Sequence, residues 1–126
     1  MYEYYTEITK VVDGDTVDVF IDLGFKVWHK ERIRLAGVDT AEKNTPFGKA
    51  LKNYMKELLE GKTIRLLVSK PDKYGRYLGE IFLNSNESIN SQLIKYNLAK
   101  SYGGDSKAGL WTESELSKTV IDVELK

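Results

Sequence analysis

Apolar and polar residues alternate in three segments of the first 38 residues. In the second segment, TVDVFIDLG, Val17, Val19 and Ile21 share one face, while Asp18 and Phe20 lie on the other. A period of two residues is typical of a strand with one buried face. The first segment is YEYYTEITKVV and the third is VWHKERIRLAGV, and the stretches DG and LGFK supply the turns between them. The sequence therefore predicts a three-stranded meander.

A helical pattern begins after a loop at residues 39–46. Thr45 can cap the helix, Pro46 suits its first position, and Gly61 supplies a C-terminal glycine. The apolar residues between them recur at spacings of three and four, which places them in one stripe along a helix. The stripe consists of Phe47, Ala50, Leu51, Tyr54, Met55, Leu58 and Leu59.

Two further strands and a second helix follow. The segments TIRLLVSK and YLGEIFLN are rich in strand-forming residues, and the turn-forming stretch PDKYGR separates them. The segment SINSQLIKYNLAKSY predicts a helix that Gly103-Gly104 ends. Three strands, a helix, two strands and a helix are the order of an OB-type barrel. We therefore expect an α+β fold, mainly β, with a five-stranded OB barrel and two main helices.

The tail of residues 105–126 has no clear pattern. We expect it to contain a short helix after Thr112 and a terminal strand, VIDVEL. A chain of 126 residues is long enough for one ordinary domain and too short for two, so residues 1–126 are expected to form a single domain.

Composition narrows the function classes. With 41% hydrophobic and 30% charged residues, the chain is typical of a folded globular protein. The absence of cysteine excludes disulfides, thiolate metal sites and thiol nucleophiles, and a single histidine argues against a zinc site or a His-dependent triad. No apolar run approaches the roughly 20 residues of a membrane helix, and no secretory signal is visible. We therefore expect no membrane partner and an intracellular location if the chain is full length, with secretion left open.

Charge is unevenly distributed although the formal net charge is zero. Residues 43–76 hold nine Lys or Arg against three acids, whereas residues 1–42 hold five against nine. One interpretation is solvated helix faces. The other is an acidic pocket beside a basic rim, which suits a metal-dependent enzyme that acts on a polyanion.

Two acidic motifs are candidates for chemistry. DGDT places Asp13 and Asp15 around a glycine, and RIRLAGVDTAE ends a strand with Asp39 and Glu42. Each motif by itself is typical of an ordinary turn. Together they offer a hard cation the carboxylate oxygens that it prefers, with the Thr40 carbonyl as a third donor and water for the remaining positions.

Two arginines accompany these acids in the sequence. Arg34 lies on the strand before Asp39, and Arg76 ends the stretch PDKYGR. The simpler interpretation of PDKYGR is a surface hairpin. Alternatively, two guanidinium groups at one pocket suit a phosphate that gains charge during displacement, because each can bond two of its oxygens.

Four motifs in order, DGDT, RLAGVDTAE, DKYGR and INSQLIKYNLAKSY, resemble the staphylococcal nuclease (thermonuclease) family. The resemblance extends from about Thr6 to Tyr102 and is greatest to short intracellular or bacteriophage-encoded members. It implies a five-stranded OB barrel with a reduced C-terminal helix region. The proline that usually follows the Asp-Thr pair is replaced by Ala41, which is expected to loosen the following loop.

The resemblance also implies residue roles. Asp15, Asp39 and the Thr40 carbonyl correspond to Ca²⁺ ligands, and Glu42 to the carboxylate that orients or deprotonates the attacking water. Asp13 corresponds to an aspartate near the metal. The remaining correspondences are Arg34 and Arg76 to a phosphate clamp, Lys73 and Tyr74 to substrate-phosphate contacts, and Tyr102 to a base-stacking tyrosine.

The activity implied is a Ca²⁺-dependent endonuclease that hydrolyses DNA and RNA by in-line attack of water and leaves 3′-phosphates. Ligand chemistry alone also permits Mg²⁺ or Mn²⁺. The alternative is a non-catalytic OB module that binds nucleic acid or protein. We expect a monomer, with a dimer formed through the terminal strand as the alternative.

Overall fold

A computed structural model of the chain describes residues 2–69, 71, 74–102 and 111–126. Seven strands and three helices are assigned within these residues. In chain order they are β1 (Tyr2–Asp13), β2 (Thr16–Asp22), β3 (Trp28–Leu35), β4 (Val38–Asp39), α1 (Pro46–Leu59), β5 (Thr63–Val68), β6 (Tyr77–Phe82), α2 (Ile89–Lys95), β7 (Lys100–Ser101) and α3 (Glu113–Leu116).

Five of the strands close into a barrel in the order β1-β2-β3-β6-β5. β1 is long enough to pair antiparallel with both β2 and β5. The barrel closes where β3 pairs with β6 in parallel, while β5 and β6 pair antiparallel. The prediction of an α+β fold built on a five-stranded OB barrel is confirmed.

Helix α1 closes one side of the core. It begins at Pro46, and the side chain of Thr45 accepts a hydrogen bond from the Gly48 N–H at 3.1 Å, as the capping prediction requires. In the part of the chain that the structure describes, no helix is long and apolar enough to cross a membrane. The largest fully buried side chains of the barrel and helices are Ile8, Val11, Val17, Ile33, Leu35, Leu51, Met55, Leu59, Leu66, Ile81, Ile89 and Leu93.

A buried asparagine on α2 links the end of β3 to β6. The side-chain amide of Asn90 donates hydrogen bonds to the carbonyl oxygens of Ala36 (2.8 Å) and Gly79 (3.0 Å). Its Oδ1 accepts one from the Ile81 N–H at 3.2 Å. Since a buried amide without partners is costly, this satisfied side chain fixes α2 against both strands.

The second helix is shorter than the sequence pattern predicts. It ends at Lys95, because Asn97 adopts a left-handed conformation with φ 60°. The N–H groups of Asn97 and Leu98 bond back to the carbonyls of Ile94 and Leu93, which is the Schellman arrangement of a helix C-terminus. The chain then forms the short strand β7, which pairs with β4.

The short helix predicted after Thr112 is present as α3, but the predicted terminal strand VIDVEL is wrong. This segment instead docks on its own helices. The Tyr54 hydroxyl donates to the Val123 carbonyl and accepts from the Leu125 N–H, both at 2.9 Å, and the Lys126 N–H donates to Gln92. A dimer that paired through the Val123 carbonyl and the Leu125 N–H would have to break these bonds.

Candidate active site

A polar pocket of about 250 Å³ opens where β2 starts and β3 ends. It combines the turn between β1 and β2, the loop after β4 and the entrance to β6. Its lining residues are Asp13, Asp15, Thr16, Arg34, Asp39, Thr40, Ala41, Glu42, Lys43 and Arg76. The structure thus brings together both acidic motifs and both arginines that the sequence singled out.

Asp15 lies at the centre of the polar contacts. Its Oδ1 accepts a hydrogen bond from the Thr16 hydroxyl and its Oδ2 accepts one from the Thr40 hydroxyl, both at 3.0 Å. Arg34 Nη1 lies 3.5 Å from the same Oδ2. Both charged side chains are largely buried, at 11% exposure for Arg34 and 14% for Asp15. The carboxylate is therefore fixed by partners from three segments of the chain.

Asp13 and Asp15 form a pair with different proton affinities. Burial, the hydrogen bond with Asp15 and the Asp15 charge raise the pKa of Asp13 to about 6. Burial also favours the neutral form of Asp15, but Asp13, the charge of Arg34 and the two threonine hydroxyls together lower its pKa. Asp15 is therefore the member of the pair that keeps its charge to the lower pH.

Arg34 is held between strand and aromatic partners. Its backbone pairs with Thr16 in β2 and with Leu78 in β6. Its Nη1 donates to the Leu35 carbonyl at 3.0 Å, and its Cζ lies 5.6 Å from the ring centroid of Tyr102. The Tyr102 N–H in turn bonds to the Gly37 carbonyl at 2.9 Å. Tyr102 thus contacts the guanidinium in a cation–π arrangement.

Asp39 is positioned by the C-terminal part of the chain. Its backbone pairs with Lys100 across β4 and β7. The indole N–H of Trp111 donates a hydrogen bond to Asp39 Oδ2 at 3.3 Å. Trp111 also packs against Phe47, with the ring centroids 5.9 Å apart. The sequence interpretation missed its bond to Asp39, because 72 residues separate the two.

The loop that carries Glu42 is anchored on the first turn of α1. The Glu42 carbonyl accepts hydrogen bonds from the Thr45 N–H at 3.0 Å and from the Thr45 hydroxyl at 2.6 Å. Gly48 packs directly beneath, and a Cβ at this position would overlap the Glu42 carbonyl oxygen. The Glu42 side chain itself is exposed at the pocket.

Arg76 and Tyr74, two further residues predicted to contact substrate, lie at the edge of the site. Arg76 is exposed and lines the pocket, and its Cζ lies 5.2 Å from the ring centroid of Tyr74. Tyr74 is exposed and lies outside the pocket lining. Lys73 lies outside the described residues. Thr16, which lines the pocket and bonds Asp15, was not singled out from the sequence.

The pocket offers oxygen donors of the kind that a divalent cation binds. Along residues 2–69, 71, 74–102 and 111–126, no three His, Cys, Asp or Glu side chains form a group that could hold a metal. The donors available are the carboxylates of Asp15 and Asp39 and the oxygens of Thr40, all from residues that line the pocket. These are hard ligands, and one or two carboxylates completed by water are a common way to bind such an ion. The donor chemistry therefore fits a hard divalent cation.

Comparison with known proteins decides the family. Residues 32–120 match the family described as staphylococcal nuclease homologue. The chain belongs to this family. The matched range includes Arg34, Asp39, Glu42 and Arg76, whereas Asp15 precedes it. The resemblance read from the four motifs is therefore confirmed at the level of the family.

Relatives cover most of this chain but are longer. An uncharacterised protein of Methanocaldococcus jannaschii is 34% identical, over 79% of this chain and 59% of its own length. A thermonuclease of Staphylococcus intermedius is 41% identical, over 74% of this chain and 56% of its own length. A protein of Escherichia coli named an uncharacterised endonuclease is 28% identical, over 90% of this chain and 80% of its own length. The chain therefore spans less than two thirds of the length of the Methanocaldococcus jannaschii and Staphylococcus intermedius proteins.

Gly48→Ala is expected to destabilise the protein. Alanine normally improves a helix by about 1 kcal/mol over glycine, but here the added Cβ would overlap the Glu42 carbonyl. Because backbone must move, we expect a loss of about 1–3 kcal/mol in the free energy of unfolding, measured in urea. Lys49→Ala, at the exposed neighbouring position, is the control. A Gly48→Ala protein as stable as the natural chain would show that the Glu42 loop is not fixed by this contact.

Glu115→Gln is expected to lower the melting temperature in a pH-dependent way. The Thr112 N–H, at 2.9 Å, and Lys100 Nζ, at 3.0 Å, lower the pKa of Glu115 to about 2 from an ordinary value of 4.5. The ionised carboxylate therefore stabilises the fold above about pH 4.5, and this contribution is lost as the pH falls toward 2.

The difference in melting temperature between Glu115→Gln and the natural chain should accordingly be largest near pH 7 and shrink below pH 4.5. Thermal melts between pH 3 and 7 measure it, with the exposed Glu124→Gln as the control. A difference that is constant over this range would contradict a role for the charge.

Proposed function

We propose that this chain is a metal-dependent nuclease that hydrolyses phosphodiester bonds of DNA or RNA. One observation carries the proposal: three acids, Asp15, Asp39 and Glu42, line the same pocket as Arg34 and Arg76. Membership of the staphylococcal nuclease homologue family supports it. Phosphodiester hydrolysis needs an oriented water, charge neutralisation and a held phosphate, and this set of side chains can contribute to each.

The two arginines are proposed to bind the phosphate. A guanidinium presents a planar pair of donors that matches two phosphate oxygens, and its charge stabilises the negative charge that builds up during displacement. Arg34 is prearranged for this by its contacts with Asp15, Leu35 and Tyr102. Arg76 is exposed, so it can reach a phosphate that enters from solvent.

Asp15, Asp39 and the Thr40 carbonyl are the proposed cation ligands. The lowered pKa of Asp15 keeps it ionised, which is the form that binds a cation. Family resemblance favours Ca²⁺, whereas two carboxylates completed by water would also suit Mg²⁺ or Mn²⁺. When bound, a divalent cation would neutralise charge on the phosphate.

Glu42 is the proposed partner of the attacking water. Its exposed carboxylate can accept a hydrogen bond from the water and either orient it or take its proton. The water oxygen would form the new bond to phosphorus as the bond to the 5′ oxygen breaks, which leaves a 3′-phosphate. The Thr45 bonds to the Glu42 carbonyl limit how far this loop can move during the step.

Substrate contacts outside the pocket are also proposed. Lys73 and Tyr74 are assigned to a neighbouring substrate phosphate on the family resemblance. Tyr102 was predicted to stack on a base, but its ring lies against the Arg34 guanidinium. That contact favours a role in positioning Arg34, with base stacking as the alternative role for Tyr102.

A panel of metals and substrates tests the proposal. The natural chain should cleave DNA or RNA with Ca²⁺, Mg²⁺ or Mn²⁺ and stop when a chelator is added. Glu42→Gln should lower kcat by about 10²–10⁴, the usual contribution of general base catalysis. Arg76→Ala should lower it by about 10²–10³, the usual contribution of one preorganised charge donor. Cleavage of single-stranded DNA, duplex DNA and RNA, with analysis of the product ends, measures all of these.

Matched variants separate chemistry from surface charge. Arg32→Ala and Glu57→Gln change an exposed arginine and an exposed glutamate outside the pocket, so both should cleave like the natural chain. Unchanged cleavage by Glu42→Gln or Arg76→Ala would refute the assigned roles. If the folded natural chain binds nucleic acid but cleaves nothing with any metal, the protein is instead a binding OB module.

A further inference from the structure

Trp111 connects the C-terminal part of the chain to a proposed cation ligand. Its indole Nε1–H donates a hydrogen bond to Asp39 Oδ2 at 3.3 Å. An indole ring has one hydrogen-bond donor, its N–H, and no acceptor. In this contact the N–H therefore donates and the carboxylate oxygen accepts. The bond engages one carboxylate oxygen, and a carboxylate has a second oxygen to offer to a cation.

The Trp111 ring is held by residues from two other elements. The Phe47 ring on α1 packs against it, with the planes tilted by 49°. The Lys100 Nζ on β7 lies 5.0 Å from the ring centroid and also bonds Glu115 Oε2 at 3.0 Å. Lys100 is also the strand partner of Asp39. The lysine that contacts the Trp111 ring is therefore paired, through its backbone, with the residue that accepts the indole hydrogen bond.

The residues that follow Trp111 tighten this arrangement. Thr112 and Glu115 form a capping box at the start of α3, in which each side chain bonds the backbone of the other. Glu115 also carries the bond from Lys100, so the short helix is tied to β7. Several contacts outside the pocket therefore set the position of the indole.

We propose that Trp111 is a positioning residue that orients the Asp39 carboxylate for a divalent cation. The proposal rests on the cation site assigned under the proposed function. A carboxylate on a short side chain can rotate about its terminal bond, and a fixed donor to one oxygen holds it in one orientation. Partners of this kind typically change metal affinity by about 10–100-fold when they are removed.

Packing alone would produce a different response. If Trp111 only fills space between Phe47 and Lys100, another aromatic ring that lacks the N–H should leave both the fold and the cation affinity unchanged. Trp111→Phe keeps an aromatic ring against Phe47 and removes the donor. Loss of cation affinity without loss of fold would therefore separate the two roles.

Calorimetric titration with Ca²⁺ and with Mg²⁺ provides the first measurement. We expect Trp111→Phe to bind the ion about 10-fold more weakly than the natural chain, the lower end of the usual range because the bond is long at 3.3 Å. The effect should disappear when Asp39→Asn is already present, because Trp111 acts through that carboxylate. Trp28→Phe is the matched control, since Trp28 stacks on Phe20 at the other end of the β2–β3 ladder.

Luminescence of bound Tb³⁺ provides a second measurement that keeps Trp111 intact. In a Trp28→Phe protein, Trp111 is the remaining tryptophan. Because its indole touches Asp39, excitation of Trp111 should sensitise Tb³⁺ bound there, and excess Ca²⁺ should remove the signal. This readout remains valid even if Trp111→Phe does not fold.

The outcomes distinguish this inference from the proposed function. If the natural chain binds none of the three ions, both fail. If it binds them but Trp111→Phe has the same affinity, or Tb³⁺ binds without sensitised emission in the Trp28→Phe protein, this inference alone is overturned. Weaker binding by a folded Trp111→Phe that depends on Asp39, together with sensitised emission, supports it.

Discussion

The pairing of β3 along both of its edges is the constraint on which the site depends. Antiparallel pairing with β2 sets Arg34 opposite Thr16, next to Asp15, while parallel pairing with β6 sets Ile33 opposite Tyr77, next to Arg76. A shift of one residue would move every side chain to the other face of the strand. Gly79 allows the barrel to close, since a Cβ there would come within 2.8 Å of side chains from β3 and β5. Closure of the barrel therefore brings Asp15, Arg34 and Arg76 to the same pocket.

Electrostatics explains why so many acids can share a small pocket. Asp15 is largely buried, yet the charge of Arg34 and the hydroxyls of Thr16 and Thr40 favour its ionised form. For Asp13, burial and the nearby Asp15 carboxylate outweigh the hydrogen bonds from the Asp15 N–H and from Thr16, so its pKa is raised. The pocket thus keeps Asp15 charged by direct contacts, while Asp13 takes up a proton at a higher pH than Asp15 does. A carboxylate held ionised in this way is suited to bind a cation without first losing a proton.

The sequence predicts the barrel and α1 because their signals are local and repeated. Thr45, Pro46 and the apolar stripe define α1, and period-two alternation defines the strands. The second helix was predicted too long because one asparagine, Asn97, takes a left-handed conformation that leaves no trace in the apolar period. The terminal strand was wrong because Tyr54 and Gln92 capture its backbone groups. The hydrogen bond from Trp111 to Asp39 leaves no periodic pattern in the sequence, so only the three-dimensional structure shows it.

The pocket has two supports of different kinds. Asp15, Arg34 and Arg76 sit on or beside barrel strands, which are held by continuous backbone ladders. Asp39 sits on a pairing of only two residues on each strand and relies on side chains from the C-terminal part of the chain. Because short pairings and exposed ion pairs contribute little by themselves, the Asp39 side should open at a lower free energy than the barrel. The side of the pocket that carries Asp39 is thus the part expected to open first, while the barrel ladders hold Asp15 and Arg34 in place.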